Sequence, residues 1–379
     1  VLLATLLWAC LWDSDTIRAE AKGLPEVLQI ITGRFERNPP LYYEMRLARA
    51  AARITAEPDD LEAYDDAGVS ADRLGRGDEA IAWMGRKAER LDAMERSGID
   101  AARVKDHRYR YLANLGTFHI HRWVRAGGDR EDLADAERAR ELIRAAIEMN
   151  PDAHFGREKY QLMAIEWLID PTQEDRFAEP GWLMIPEREL RDHPREAVRG
   201  LTGLIALGNA WESVDVFAVL IRALEQDGDR NVLATLAWRR ATELVGEGKR
   251  SLHPQASFLP SPRTPPTLYK PDELEDQFQF LRREAEDWHA ARTAYMMERL
   301  EAGRHPDTDP EFWADFHDDG PPRLRKPVSI FTIILTAIGA ALAAVVAGIV
   351  WLLVRRWRRN RPVEAIVITG EELARGGDL

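Results

Sequence analysis

The chain has 379 residues, and 64 acidic against 52 basic side chains give it a formal net charge of −12. Nucleic-acid binders concentrate positive charge where they meet phosphates, so this balance argues against DNA or RNA as a partner. Cys10 is the single cysteine, which rules out a disulfide within the sequence and any multi-cysteine metal site.

The sequence opens on Val-Leu-Leu-Ala-Thr-Leu-Leu-Trp-Ala-Cys-Leu-Trp. This run is mostly apolar, too short to span a bilayer, and suited to the core of an export signal. A buried N-terminal helix is the alternative. Residues 1–21 are therefore read as an export signal or an apolar N-terminal segment. Within them, Leu7-Trp8-Ala9-Cys10 resembles the processing site of bacterial lipoproteins, which implies lipidation of Cys10. The plain alternative is a cysteine in or just after a signal segment.

Helix-forming residues dominate from Pro40 to Leu300, and no long stretch alternates apolar with polar residues. The expected fold class is all-α. Two segments carry a repeat pattern. In one, Tyr64 is followed by Ala67-Gly68 and Ala71; Gly75 and Gly77 break the helix; Ala80 and Met84 open a second apolar face. In the other, Leu112 is followed by Leu115-Gly116 and His119, with Ala139, Ile143 and Pro151 marking the second helix. The third unit is stretched by a charged, Gly-containing loop from Arg125 to Asp135. An earlier, degenerate unit over residues 27–60 ends near Pro58. These spacings resemble the tetratricopeptide repeat, in which two antiparallel helices form a unit of about 34 residues. Small residues stand where helices cross closely, and larger ones fill the gaps. The resemblance implies a TPR-like helical repeat solenoid over residues 22–168. It is also similar to exported bacterial repeat proteins of unknown role.

Residues 169–252 read as an additional helical region. A proline-containing loop leads to helices at about 194–208, 213–226 and 230–247. Leu204, Leu207, Val216, Leu220, Leu224, Leu233, Leu236 and Leu244 recur at helical spacing and are expected in the core. Residues 253–271 hold six prolines and read as an extended linker. A long amphipathic helix is expected over 272–303. Leu274, Leu281, Trp288 and Tyr295 form its main row and Phe278 and Ala285 its companion, but Arg292 and Arg299 continue that companion row. A coiled coil wants the row apolar throughout, so a helix capping the solenoid is favoured over self-association. Residues 304–327, rich in Pro and Asp, read as an acidic tether.

Residues 328–354 carry no charge. At 1.5 Å rise per residue they make a helix of roughly 40 Å, enough to cross a bilayer core of about 30 Å with tilt. One C-terminal transmembrane helix is therefore expected. Arg355, Arg356, Arg358, Arg359 and Arg361 follow it, while Arg323, Arg325 and Lys326 precede it. This bias favours a cytoplasmic tail over residues 355–379, with the bulk of the chain on the outer side of a bacterial inner membrane. Gly339, Ala343 and Ala347 lie four apart, as do Ala340, Ala344 and Gly348. Such small-residue stripes allow a homodimer through the span.

No Gly-rich phosphate loop, nucleophile elbow or paired zinc histidines occur, so no catalytic, cofactor-binding or metal-binding residue is nominated. His119 and His121, two apart on a helix, point away from each other and do not share an ion; His119 is expected to pack. The acidic run around Asp307 and Asp309 lacks a calcium loop's spacing. What remains is the groove. The repeat resemblance implies a concave face lined by the first helix of each unit and open to extended peptides. It maps to Glu62, Asp65, Val69, Asp72 and Arg73 in one unit, and to Arg110, Ala113, Asn114, Thr117 and His121 in the next. Asp65 and Val69 stand where some family members place a carboxylate-holding Lys and Asn, so an anionic C-terminus is not the expected ligand. The acidic residues suit a partner with a basic segment. The resulting expectation is a membrane-anchored scaffold for protein–protein interaction. The alternative is an envelope enzyme, or enzyme subunit, with its site in residues 190–300.

Overall fold

The computed structural model describes residues 11–16, 25–151, 156–171, 184–208, 210–227, 231–252, 262–263, 269–325 and 330–360. Among them every regular element is a helix. Cys10 and most of the proline-rich linker lie outside the described residues. The chain divides into two units, Val1–Leu324 and Arg325–Leu379.

Residues 14–16 are helical, and the first helix described from end to end is α1 (Val27–Thr32), which ends on Gly33 at φ 90°. A side chain is strained at that φ, and a Cβ there would lie 2.7 Å from the Trp211 ring, so glycine serves both the turn and the contact. Next come α2 (Pro40–Ala56), α3 (Leu61–Arg73), α4 (Gly77–Ser97), α5 (Ala101–Arg125) and α6 (Ala134–Met149). Their starts follow local chemistry. Pro40 occupies the first turn of α2, where its missing N–H is no loss. The Asp60 side chain caps α3 by accepting from the Ala63 N–H, and Asp100 caps α5 through Arg103.

From α2 to α6 each helix packs on the next, and α3 also packs on α5. The two repeat glycines lie where the helices come closest. A Cβ on Gly116 would lie 2.9 Å from two atoms of Ile143; one on Gly68 would lie 2.9 Å from Met84 and 3.0 Å from Phe118. The stretched unit behaves as expected, with α5 ending at Arg125 and α6 starting at Ala134.

The chain continues through α7 (Arg157–Ile169), α8 (Glu187–Asp192), α9 (Pro194–Ala206), a single 3₁₀ turn at Ala210–Glu212, α10 (Val214–Gln226) and α11 (Asn231–Gly246). The largest apolar core sits here. Leu204, Val216, Leu220, Leu224, Leu236 and Leu244 are fully buried in it. Leu207 and Leu233 are only half-buried, at the margin of their helices' buried stripes. α1 packs on α9 and α11, so an N-terminal element completes a C-terminal core.

The long helix is α12 (Pro271–Glu301). It caps its own unit, packing on α1, α2 and α11. Arg292, which interrupts the apolar row, is buried and bonds to the Asn38 side chain and the Arg37 carbonyl. Its guanidinium also lies 4.7 Å from the centre of the Trp313 ring. Burial of an arginine is tolerable because the donors have partners.

One expected boundary needs correction. Residues 304–327 are not a free tether along their whole length. Phe312 is fully buried, and Trp313 stacks on Tyr295 of α12 with ring centroids 5.5 Å apart. Asp307, Asp315 and Asp318 pair with Arg49, Arg299 and Arg34. Acidic composition suggested a solvated linker, but the aromatic residues dispersed in it anchor the segment. At the other end, residues 11–16 pack on the first unit's helices with Leu11 fully buried, which agrees with the alternative of a buried N-terminal segment.

The second unit contains α13 (Ile330–Arg359), and Ala337–Arg359 is long and apolar enough to cross a membrane. None of that window is buried against protein, as a lipid-facing helix requires.

Candidate functional site

The candidate groove residues lie on α3 and α5, and two of them, Arg110 and Asn114, contact residues 11–16, which run over α2, α3 and α5. Asn114 on α5, itself fully buried, reads the backbone of Trp12 in both directions. Its Oδ1 accepts the Trp12 N–H at 2.7 Å and its Nδ2 donates to the Trp12 carbonyl at 2.8 Å. Such a clamp satisfies both peptide groups of Trp12, which lies just before the helical residues 14–16.

The side chains of the segment are held as firmly. Leu11 enters the apolar cluster of α2, α3 and α4. The Trp12 ring meets Tyr109 edge-on at 5.4 Å and lies under the Arg110 guanidinium at 5.3 Å. Its indole N–H donates to the Tyr109 hydroxyl at 3.2 Å. Asp13 accepts from Arg46 at 2.9 Å, and the Ser14 amide and hydroxyl donate to Asp66 at 2.9 and 2.8 Å. Asp15 pairs with Arg46 at 2.5 Å and accepts from the Tyr42 hydroxyl.

Arg46 is the hub. Its side chain is 1% exposed and faces four carboxylates, Asp13, Asp15, Asp66 at 3.4 Å and Asp307 at 3.3 Å. A cation at this depth requires such neighbours, and they in turn depend on it. Asp13 feels the surplus of negative charge. Burial pushes its pKa up to about 6; Arg46 opposes the shift, and Asp15 and Asp66 add to it. The same helix touches the segment that precedes the membrane helix. His305 stacks on the Tyr42 ring at 4.4 Å, and its Nε2 lies 3.1 Å from the Tyr42 carbonyl. Two turns of α2 therefore join the groove occupant on one side to the juxtamembrane segment on the other.

The remaining candidates are neutralised from within. Asp65 is buried and accepts from the Lys87 ammonium at 2.7 Å on both oxygens, with Asn114 at 3.0 Å. Burial alone would raise its pKa, yet Lys87 and His107 together hold it below the usual range. Asp72, equally buried, lies 2.7 Å from His121 Nδ1 and 2.8 Å from Arg125. Against the upward push of burial, those two groups bring it down to about 2. His121 itself is lowered, because burial outweighs Asp72. Glu62 is partly exposed and accepts from His107 at 3.1 Å and Arg103 at 2.9 Å, the first being the main cause of its lowered pKa. Arg73 donates to the Leu207 carbonyl, and Arg110 pairs with Asp106 at 2.6 Å. Val69, Ala113 and Thr117 are buried, and Thr117 accepts from Gln161. His119 lies 2.7 Å from Asp135.

Several residues that build the site were missed from sequence: Arg46, Tyr42, Asp66, Lys87, Asp307 and the Asp13-Ser14-Asp15 triplet. One signal was present. Tyr42, Arg46, Ala50 and Ile54 share the buried stripe of α2, and Ala80, Met84, Lys87, Leu91 and Met94 that of α4. A charged residue on an apolar stripe announces a buried partner of opposite sign.

A cleft of ≈ 530 Å³ opens beside the bound segment, walled by Ser14, Arg46, Arg49, Arg53, Asp66 and Asp307. Among the described residues no group of three or more His, Cys, Asp or Glu is placed to hold a metal ion. Compared with the models of known families, with curated proteins and with solved structures, the chain finds no match.

Proposed function

We propose that this protein is a membrane-anchored helical scaffold of the tetratricopeptide type, whose repeat face binds an extended protein segment in the bacterial envelope. One observation supports the reading above others: Asn114 clamps the Trp12 backbone from both sides while residues 11–16 lie across α2, α3 and α5. Capture of a backbone, with side-chain pockets on either side of it, is the chemistry of peptide recognition. The long apolar helix α13 supplies the anchor. The basic residues after the span, more numerous than those before it, support an outer location for the bulk of the chain and a cytoplasmic tail.

Site-specific photo-crosslinkers placed at Arg103 and Glu62 on the groove rim test the binding role. In native membranes they are expected to join the chain to a discrete partner that crosslinkers on the exposed face of α12 do not reach. Crosslinking that is equal from both faces would remove the groove from the proposal. Protease added to intact spheroplasts tests the topology. Digestion of the first unit before lysis is expected, and protection until lysis would reverse the orientation.

A further inference from the structure

We propose that the segment Leu11–Thr16 is a displaceable occupant of the repeat face, and that the partner presents an acidic segment of the same kind: an apolar residue, an aromatic, and two carboxylates flanking a hydroxyl. This deepens the scaffold reading and rests on it.

Three observations carry the inference. First, the segment is bound as a ligand is bound. Its hydrogen-bond partners beyond its own turn include Tyr42, Arg46, Asp66, Tyr109 and Asn114, all remote in sequence. Second, the recognition is specific in chemistry. Asn114 holds the backbone whatever the side chain, Tyr109 and Arg110 take an aromatic ring, and Asp66 accepts from an amide and a hydroxyl. Arg46 takes carboxylates one residue to either side of that hydroxyl. A lysine or arginine at those two positions would meet the Arg46 guanidinium at hydrogen-bond distance and be repelled. Third, the cleft beside the segment gives a competitor a way in, and its rim is cationic. Arg53 and Arg49 keep 48% and 30% of their side-chain surface exposed, whereas Asp66 and Asp307 keep 5% and 13%. An approaching acidic segment meets the arginines before it meets the carboxylates behind them.

These observations set aside the partner with a basic segment expected from the acidic residues of α3. Asp65 and Asp72 are neutralised inside the fold by Lys87, His121 and Arg125, and neither reaches the surface.

The test uses the full chain in nanodiscs with a specific protease site inserted between Thr16 and Pro25, so that the occupant is severed only after folding. The probe is a fluorescent peptide, Leu-Trp-Asp-Ser-Asp-Thr, read by anisotropy. Cleavage is expected to tighten binding by at least about tenfold, because an occupied site lowers apparent affinity by the fraction that is free. Trp→Ala in the peptide, or Lys at both Asp positions, is expected to abolish the gain, and far-ultraviolet circular dichroism is expected to remain helical throughout. A cut chain that prefers the Lys-substituted peptide overturns the acidic partner and leaves the scaffold reading standing. Helical folded chain that takes neither peptide overturns both. Loss of helicity as the severed segment leaves would show it to be a fixed part of the core and overturn displacement.

Discussion

The two halves of the first unit bury different things. In α9, α10 and α11 the interior is mostly apolar, with Asp215 and Arg240 the buried charged side chains among the described residues, and Val216, Leu220 and Leu224 pack with Leu204 and Leu236 in one continuous core. In α2 to α5 the apolar clusters are smaller, and the buried set includes Arg46, Asp65, Asp66, Asp72, Lys87, His107, Asn114 and His121. An apolar core needs only volume and helical period. Buried charges raise a desolvation cost that hydrophobic residues of similar size avoid, so each must find its partner inside the fold. The difference sets a charge-rich half, α2 to α5, against an apolar half, α9 to α11.

Deleting the hub tests the contrast most severely. Arg46→Met removes the cation and leaves four carboxylates, two of them nearly fully buried, facing one another. A loss of about 3–5 kcal/mol is expected. Leu220→Ala in the apolar half is expected to cost a comparable amount, about 2–5 kcal/mol. The two should separate by pH. Protonating the carboxylates at low pH should restore part of the stability of Arg46→Met and none of that of Leu220→Ala. Chemical denaturation at pH 4 and pH 7 decides it; equal pH responses would mean that the charge cluster is not what Arg46 serves.

Gly116→Leu probes the approach of α5 to α6. The side chain would be driven into Ile143 and Leu142, which lie within 3.2 Å of the Cβ position. Overpacking of this kind costs up to about 3 kcal/mol, readable as a lower melting temperature. An unchanged melt would mean that the helices separate without penalty and that the small residue is incidental.

Titration gives a finer contrast. Asp72 has a folded pKa lowered to about 2, so its contribution to stability is present above the ordinary carboxylate pKa and is lost as pH falls through 2. Among the described residues Asp215, in the apolar half, forms no ion pair and accepts from Ser251 and the Leu252 amide. Burial raises it to about 6, so its contribution is complete at low pH and is lost as pH rises through 6. Asp215→Asn is therefore expected to stabilise the chain at pH 7 by on the order of 2 kcal/mol and to change little at pH 4. Asp72→Asn should destabilise at pH 7. If both substitutions shift stability in the same direction at pH 7, the assignment of opposite environments is wrong.

The smallest effect is expected in the second unit. Ala343→Ile and Ala344→Ile enlarge the two small-residue stripes of α13 while keeping it apolar. If the span pairs two chains, a transmembrane association assay on residues 326–362 should lose self-association in one variant, by about 1–2 kcal/mol. No association in the unmodified span would leave the chain monomeric through this helix.

Much of the molecule was legible before any coordinates. The 3.6-residue spacing of Leu204, Val216, Leu220 and Leu236 located the apolar core, because burying one stripe is a local demand on sequence. Gly68 and Gly116 marked the close crossings, since only a missing side chain lets two helix backbones approach so nearly. The uncharged run before Arg355 defined the span by length alone. Composition misled at one end of the first unit, where an acidic stretch resembled a solvated tether.

What tertiary structure alone decided is the state of the groove. Sequence placed Asp65, Asp72, Asn114 and His121 on faces of two helices, but a helix face does not say what covers it, and all four are buried. Their partners come from far along the chain: Lys87 for Asp65, Arg125 for Asp72, Trp12 for Asn114. Arg46 gathers carboxylates from the N-terminal segment, from α3 and from the segment before the membrane helix. Helical period is written in neighbouring residues and can be read from them. Charge pairing across hundreds of residues depends on how the chain closes on itself, and only the folded molecule records it.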